Sequence, residues 1–253
     1  MDGVLYRGST ALAGLAEFVD LTRSWPRVLL TNNSTMSAAT CVSKLRRLGV
    51  SVPEQEILTV SAAMTDYLAA EFTPGTSVYV IGERPLRDAV RAAGLTEDKP
   101  GHAAVVLGLD RNLRFDQLCQ ATGLLRAGRP LIVTSLDPVL LTADGAVPGT
   151  GAIAAALRMC ADVEPVCVGK PEPRFFRAAM RRLGIPADRV LVVGDSLTAD
   201  IVGGQAAGAR TALMLTGVTA ALPSDTGPSG TGPRPDYIFD SLRELTRFLR
   251  RCM

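Results

Sequence analysis

Histidine is almost missing from this 253-residue chain: His102 is the only one. Any Ser-His-Asp or Cys-His scheme must use that residue, and metal sites built from several histidines are excluded. His102 precedes the apolar run Ala103–Leu107 and reads as a structural or surface residue. The five cysteines (Cys41, Cys119, Cys160, Cys167, Cys252) are odd in number and form no C-x-x-C pair. That argues against a disulfide framework or a zinc knuckle and for a reducing compartment, with the cytoplasm as the expectation. No apolar run is long enough to span a bilayer, and no basic-then-apolar signal pattern opens the chain. A formal net charge of +2 supplies no field to draw nucleic acid. Arg247, Arg250 and Arg251 read as the solvated face of a last helix. A phosphate-binding G-x-x-x-x-G-K-[ST] loop is absent too, which removes P-loop kinases.

What remains is ordinary globular composition, 47% hydrophobic and 21% charged, in a chain long enough to bury a sizeable core. Short β-branched runs alternate with helical stretches, the pattern of βαβ units on a parallel sheet. Strands are expected at Arg27–Thr31, Val78–Ile81, Ala104–Leu107, Leu131–Val133, Val190–Val193, Thr211–Leu215 and Tyr237–Phe239. A helix is expected from Ser37 to Leu48, with Val42, Leu45 and Leu48 at helical spacing and Gly49 as its stop. The Gly/Pro/Ser-rich stretch Pro223–Pro235 reads as a mobile loop.

The chemistry gathers at strand ends. The run Val190–Gly194 delivers Asp195 and Asp200 to the loop beyond it, where open parallel sheets bind ligands. Two carboxylates five residues apart can flank one loop and share a divalent cation, and Mg²⁺ favours such a sparse supply. Lys170 sits between Gly169 and Pro171 after an apolar run, a fixed point charge suited to a phosphate. Thr31, Asn32 and Asn33 close another strand with short hydrogen-bonding groups, which bind phosphate oxygens at strand-to-helix junctions; Ser34 or Thr35 is a helix-cap candidate. Asp2–Gly3 puts a carboxylate beside a residue that permits a sharp bend. The stretch between about Ala62 and Glu164 carries none of these groups, which points to a core interrupted by an inserted domain.

With these motifs in this order, the chain resembles a haloacid-dehalogenase-superfamily phosphatase of the NagD-like, 4-nitrophenylphosphatase and phosphoglycolate phosphatase branch. Thr134–Asp137, the turn Pro148–Gly151, Leu215–Thr219 and Pro235–Tyr237 extend the likeness over nearly the whole length. The resemblance implies an α/β fold: a Rossmann-like parallel sheet core with helices on both faces over 1–62 and 166–253, and an inserted α/β cap over 63–165. It implies Mg²⁺-dependent hydrolysis of a small phosphorylated metabolite through an aspartyl-phosphate, and a homodimer formed through the cap. Asp2 inherits the acid/base role and contributes its backbone carbonyl to the metal; Thr31, Asn32 and Asn33 contact phosphate; Lys170 stabilises charge. Asp195 ligates magnesium directly, while Asp200 orients the metal's water shell or Lys170. Ser135 and Asp137 of the cap help select the leaving group, although relatives usually carry Asn or Asp where this chain has Ser135.

The family's first motif is D-x-D-G, and Met1–Asp2–Gly3 matches its last three positions. The nucleophilic Asp is therefore expected immediately before Met1, on a first core strand that is largely missing. The chain as written is then expected to be inactive or poorly folded, since two or three buried apolar side chains contribute roughly 1.5–3 kcal/mol each. The rival reading is a catalytically inactive, phosphate-binding or regulatory relative. Gly149–Ala154 also fits the dinucleotide fingerprint G-x-G-x-x-A, without a clear strand before it or an acidic residue ending a second strand about twenty residues on.

Overall fold

The computed structural model describes residues 1–142, 145–222 and 232–252, so most of the Pro223–Pro235 loop lies outside the described residues. The chain divides into two compact units, Met1–Leu30 with Ala39–Ile57 and Lys170–Met253, and Thr31–Ala38 with Leu58–Gly169.

The first unit is built on three parallel strands, Leu191–Gly194, Arg210–Met214 and Tyr237–Phe239, in that order. Unbroken apolar runs of this kind suit strands covered on both faces. Helix Pro173–Leu183 buries Phe175, Phe176, Ala179 and Met180, and helix Leu242–Arg251 buries Leu242, Leu245, Thr246 and Leu249. Both sets follow the spacing of one helical face. Ser241 starts the last helix by accepting the Glu244 N–H through its hydroxyl (3.2 Å). The Asp236 carboxylate accepts both the backbone N–H and the hydroxyl of the fully buried Thr211 (2.7 and 2.9 Å), which fixes the approach to the Tyr237–Phe239 strand.

The second unit carries a four-stranded parallel sheet in the order Val166–Cys167, Leu131–Val133, Val105–Leu107, Tyr79–Ile81. Ile81, Val105, Leu107, Leu131, Val133 and Leu157 form its buried centre. His102 is used there as a structural residue, with Nδ1 3.0 Å from Ser77 Oγ and its ring against Tyr79. Among the described residues, no helix is long and apolar enough to cross a membrane.

Element positions follow the sequence pattern to within one or two residues. The expected 27–31 strand is Leu29–Thr31, the 37–48 helix is Ala38–Arg47, and Gly49 after it takes a left-handed φ of 89°. The G-x-G-x-x-A run is preceded by a strand after all, Gly145–Pro148, but this pairs antiparallel with Val139–Thr142 in a hairpin. A dinucleotide site needs a parallel βαβ strand there, so the fingerprint is coincidental.

The candidate active site

Within the first unit, the Leu191–Gly194 strand ends in a turn and then a π-helical segment, Leu197–Val202, which carries Asp200. Extra-wide turns of this type concentrate at functional sites. Asp200 Oδ2 turns back to accept the backbone N–H groups of Asp195 and Ser196 (3.2 and 3.1 Å), while its Oδ1 accepts from Lys170 Nζ at 2.6 Å. One buried carboxylate thereby fixes both the loop bearing Asp195 and the ammonium of Lys170. Of the two roles the resemblance offered for Asp200, the contact present is the one with Lys170.

Asp195 Oδ2 accepts the Val218 N–H (2.7 Å), and the Asp195 carbonyl accepts the Thr219 N–H (3.0 Å). Thr216 of the same 216–219 loop donates its hydroxyl to the Gly3 carbonyl (2.6 Å). Gly3, at φ 73°, and Gly217 both press against the Asp195 carboxylate so closely that a β-carbon at either would overlap it. The Asp2 side chain is held by its own turn, with Oδ1 accepting from the N–H groups of Gly3 (3.0 Å) and Gly8 (3.4 Å). Four segments distant in sequence thus converge on one cluster: Met1–Gly3, Lys170, Asp195–Asp200 and Thr216–Thr219. The last of these was not singled out as functional from sequence, although a Thr-Gly-Val-Thr run closing a strand is the signal that would have found it.

Burial and then the Asp200 charge push the Asp195 carboxyl above its ordinary range. Burial acts on Asp200 in the same sense, but the charge and hydrogen bond of Lys170 outweigh it, and Asp200 lies below its ordinary range. A carboxylate as destabilised as Asp195 is what a cation would relieve. The donors are hard oxygens, and among the described residues no group of three or more His, Cys, Asp and Glu side chains is placed to hold a metal. Mg²⁺ needs only one or two carboxylates and completes its shell with water and substrate oxygens, so the cluster fits magnesium and does not fit zinc.

The second unit holds the other expected groups. Asn32 Nδ2 donates to Asp137 Oδ2 (3.0 Å), Ser135 Oγ donates to the same oxygen (2.6 Å), and Ser135 Oγ accepts the Asp137 N–H (2.9 Å). Thr31 Oγ1 accepts the Asn33 N–H (3.1 Å), and Asn33 Oδ1 accepts from the N–H and hydroxyl of Thr35, both at 2.8 Å. Ser34 and Thr35 do not cap the following helix: it starts at Ala38, and Ser34 Oγ accepts the Leu109 N–H instead (3.0 Å).

Comparison with known proteins gives a consistent picture. Residues 1–96 match the family model for haloacid dehalogenase-like hydrolases, and residues 167–245 match the HAD-hydrolase-like model. The chain is 34% identical over 251 residues to the 5'-nucleotidase YutF of Bacillus subtilis, covering 98% of this chain and 96% of that protein. It superimposes on the p-nitrophenyl phosphatase from Archaeoglobus fulgidus with a TM-score of 0.87 and 35% identity, over 98% of this chain and 96% of that one. The glycerol phosphate phosphatase Rv1692 from Mycobacterium tuberculosis, solved in complex with magnesium, gives a TM-score of 0.88 and 33% identity over 97% of this chain and 74% of that one. The chain belongs to the haloacid dehalogenase-like hydrolases.

Proposed function

We propose that the protein hydrolyses small phosphomonoesters with Mg²⁺, in the cytoplasm, through an aspartyl-phosphate. The observation that carries the reading is the Lys170–Asp200–Asp195 chain of contacts beside Asp2, in which a cation and two hard-oxygen donors are fixed together. Asp195 and the Asp2 carbonyl would hold Mg²⁺, which when bound would supply neutralising charge to the phosphoryl oxygens. Lys170, oriented by Asp200, adds a second fixed positive charge. Asp2 moves the proton: it protonates the leaving alkoxide and then takes a proton from the water that cleaves the acyl phosphate. Thr31, Asn32 and Asn33 bind phosphate oxygens through N–H, hydroxyl and amide groups. Ser135 and Asp137 contact the leaving group, and the polar character of this pair favours hydroxylated leaving groups such as glycerol or sugars. The core and cap division at 62/63 and 165/166, and a homodimer through the cap, belong to the same reading.

The test is a chain extended by an apolar segment ending in Asp directly before Met1, compared with the same extension ending in Asn. The Asp form is expected to hydrolyse p-nitrophenyl phosphate and glycerol phosphate only with Mg²⁺, and the Asn form to be inactive. Equal turnover by both forms, or turnover unaffected by a chelator, overturns the reading.

A further inference from the structure

In the first unit, strands Tyr6–Arg7 and Thr10–Ala11 form a hairpin of two residues on each side. Among the described residues it pairs with no other strand, and so small a ribbon has too few ladder bonds to hold itself in place. Its position is therefore set by side chains. Successive strand residues point to opposite faces. The Tyr6 ring is buried, with the Lys44 ammonium 3.9 Å from its centroid. Arg7 stands on the exposed face and donates from Nη2 to the Thr216 carbonyl at 2.6 Å, across 209 residues of sequence.

Each end of that bond leads to one carboxylate of the cluster. On the hairpin side, the N–H of Gly8, the neighbour of Arg7, donates to Asp2 Oδ1 at 3.4 Å. Asp2 is exposed, so its place depends on this turn and not on packing. On the loop side, Thr216 opens the segment whose Val218 N–H donates to the Asp195 carboxylate at 2.7 Å. The Thr216 hydroxyl adds a second bond between the same two segments, to the Gly3 carbonyl at 2.6 Å. A hydrogen bond with an ionised donor, short as this one is, is roughly twice as strong as a neutral one.

We infer that Arg7 is a positioning residue. By clasping the hairpin to the Thr216–Thr219 loop, it sets the separation between Asp2 and Asp195 and so the fit of the divalent ion between them. The inference rests on the phosphatase reading only for the use made of that ion. The bond to Thr216 is single, not bidentate, so a lysine ammonium at position 7 can replace it.

Arg7→Ala and Arg7→Lys in the 253-residue chain test the clasp through Mg²⁺ binding by calorimetry, amide hydrogen exchange and melting temperature. Arg7→Ala is expected to weaken Mg²⁺ binding about fivefold. It should also speed exchange about tenfold at Val218 and at Leu12, whose N–H donates to the Leu5 carbonyl at the base of the hairpin (3.0 Å). The melting temperature should move by less than about 2 °C, because the side chain is exposed. Arg7→Lys should restore both binding and protection to within about twofold of the parent, as a single donated bond requires. Mg²⁺ affinity and exchange unchanged in Arg7→Ala overturn the inference, and so does an Arg7→Lys form as impaired as Arg7→Ala. Should Arg7→Ala melt more than about 5 °C below the parent, Thr216→Val carries the same expectations, since it keeps Arg7 and removes the other bond. None of these readouts involves turnover, so an absence of phosphatase activity counts against the proposed function and leaves the clasp to be judged on binding and exchange.

Discussion

Lys170 Nζ and Asp200 Oδ1 lie 2.6 Å apart, with their side chains only 12% and 7% exposed, so the ammonium is aimed by a carboxylate that is itself anchored to the Asp195 loop. Removing one partner leaves the other charge buried and uncompensated, which typically costs about 3–5 kcal/mol. Lys170→Met is therefore expected to lower stability by that order, measured by urea unfolding. Asp200→Asn should also destabilise, because one amide oxygen cannot accept from Lys170 and from two backbone N–H groups at once. If Lys170→Met left the unfolding midpoint unchanged, the pair would have no structural weight.

The same two carboxylates give opposite pH dependences. Asp200 is held below its ordinary value in the folded chain, so the stability it contributes is present above about pH 3.9 and is lost as pH falls through the folded-state value. Asp195 is raised, so its contribution is present below about pH 3.9 and is lost as pH rises through its folded-state value. Melting temperatures between pH 2 and 6 should show Asp200→Asn flattening the acid limb and Asp195→Asn steepening it. Identical profiles for the two variants would contradict the assignment.

Asp195 further links stability to metal. Without divalent cation near pH 7, Asp195→Asn is expected to melt a few degrees higher than the parent, because it removes a destabilised buried charge while the amide oxygen still accepts from Val218. Added Mg²⁺ should raise the melting temperature of the parent and leave that of Asp195→Asn unmoved. Calorimetry in a magnesium series is the check.

Space around Asp195 gives a contrast between two glycines. Gly217→Ala pushes a methyl group into the Asp195 carboxylate and should weaken Mg²⁺-dependent turnover by about 100-fold, the usual cost of a displacement near 1 Å. Gly49→Ala meets open space at a left-handed φ of 89°, so it should cost about 1–2 kcal/mol of stability and leave turnover alone.

In the second unit, Ser135 is nearly inaccessible and donates to Asp137. Ser135→Ala is expected to lose about 1.5–3 kcal/mol and to raise KM for polyol phosphates more than for p-nitrophenyl phosphate. An equal rise for both substrates would place Asp137 outside leaving-group selection.

The sequence by itself determined the parallel α/β elements, because their apolar runs and helical spacings are local and their periods are unmistakable. Asp2, Lys170, Asp195 and Asp200 were also legible as candidate site residues, polar groups punctuating strand ends, and the fold brings them into one cluster. Only the tertiary structure decided what each of them does to its neighbour. That Asp200 turns inward to hold Lys170, that Gly3 and Gly217 leave room for the Asp195 carboxylate, and that Ser34 serves Leu109 rather than a helix end all depend on segments far apart in the chain. Such contacts have no period to read.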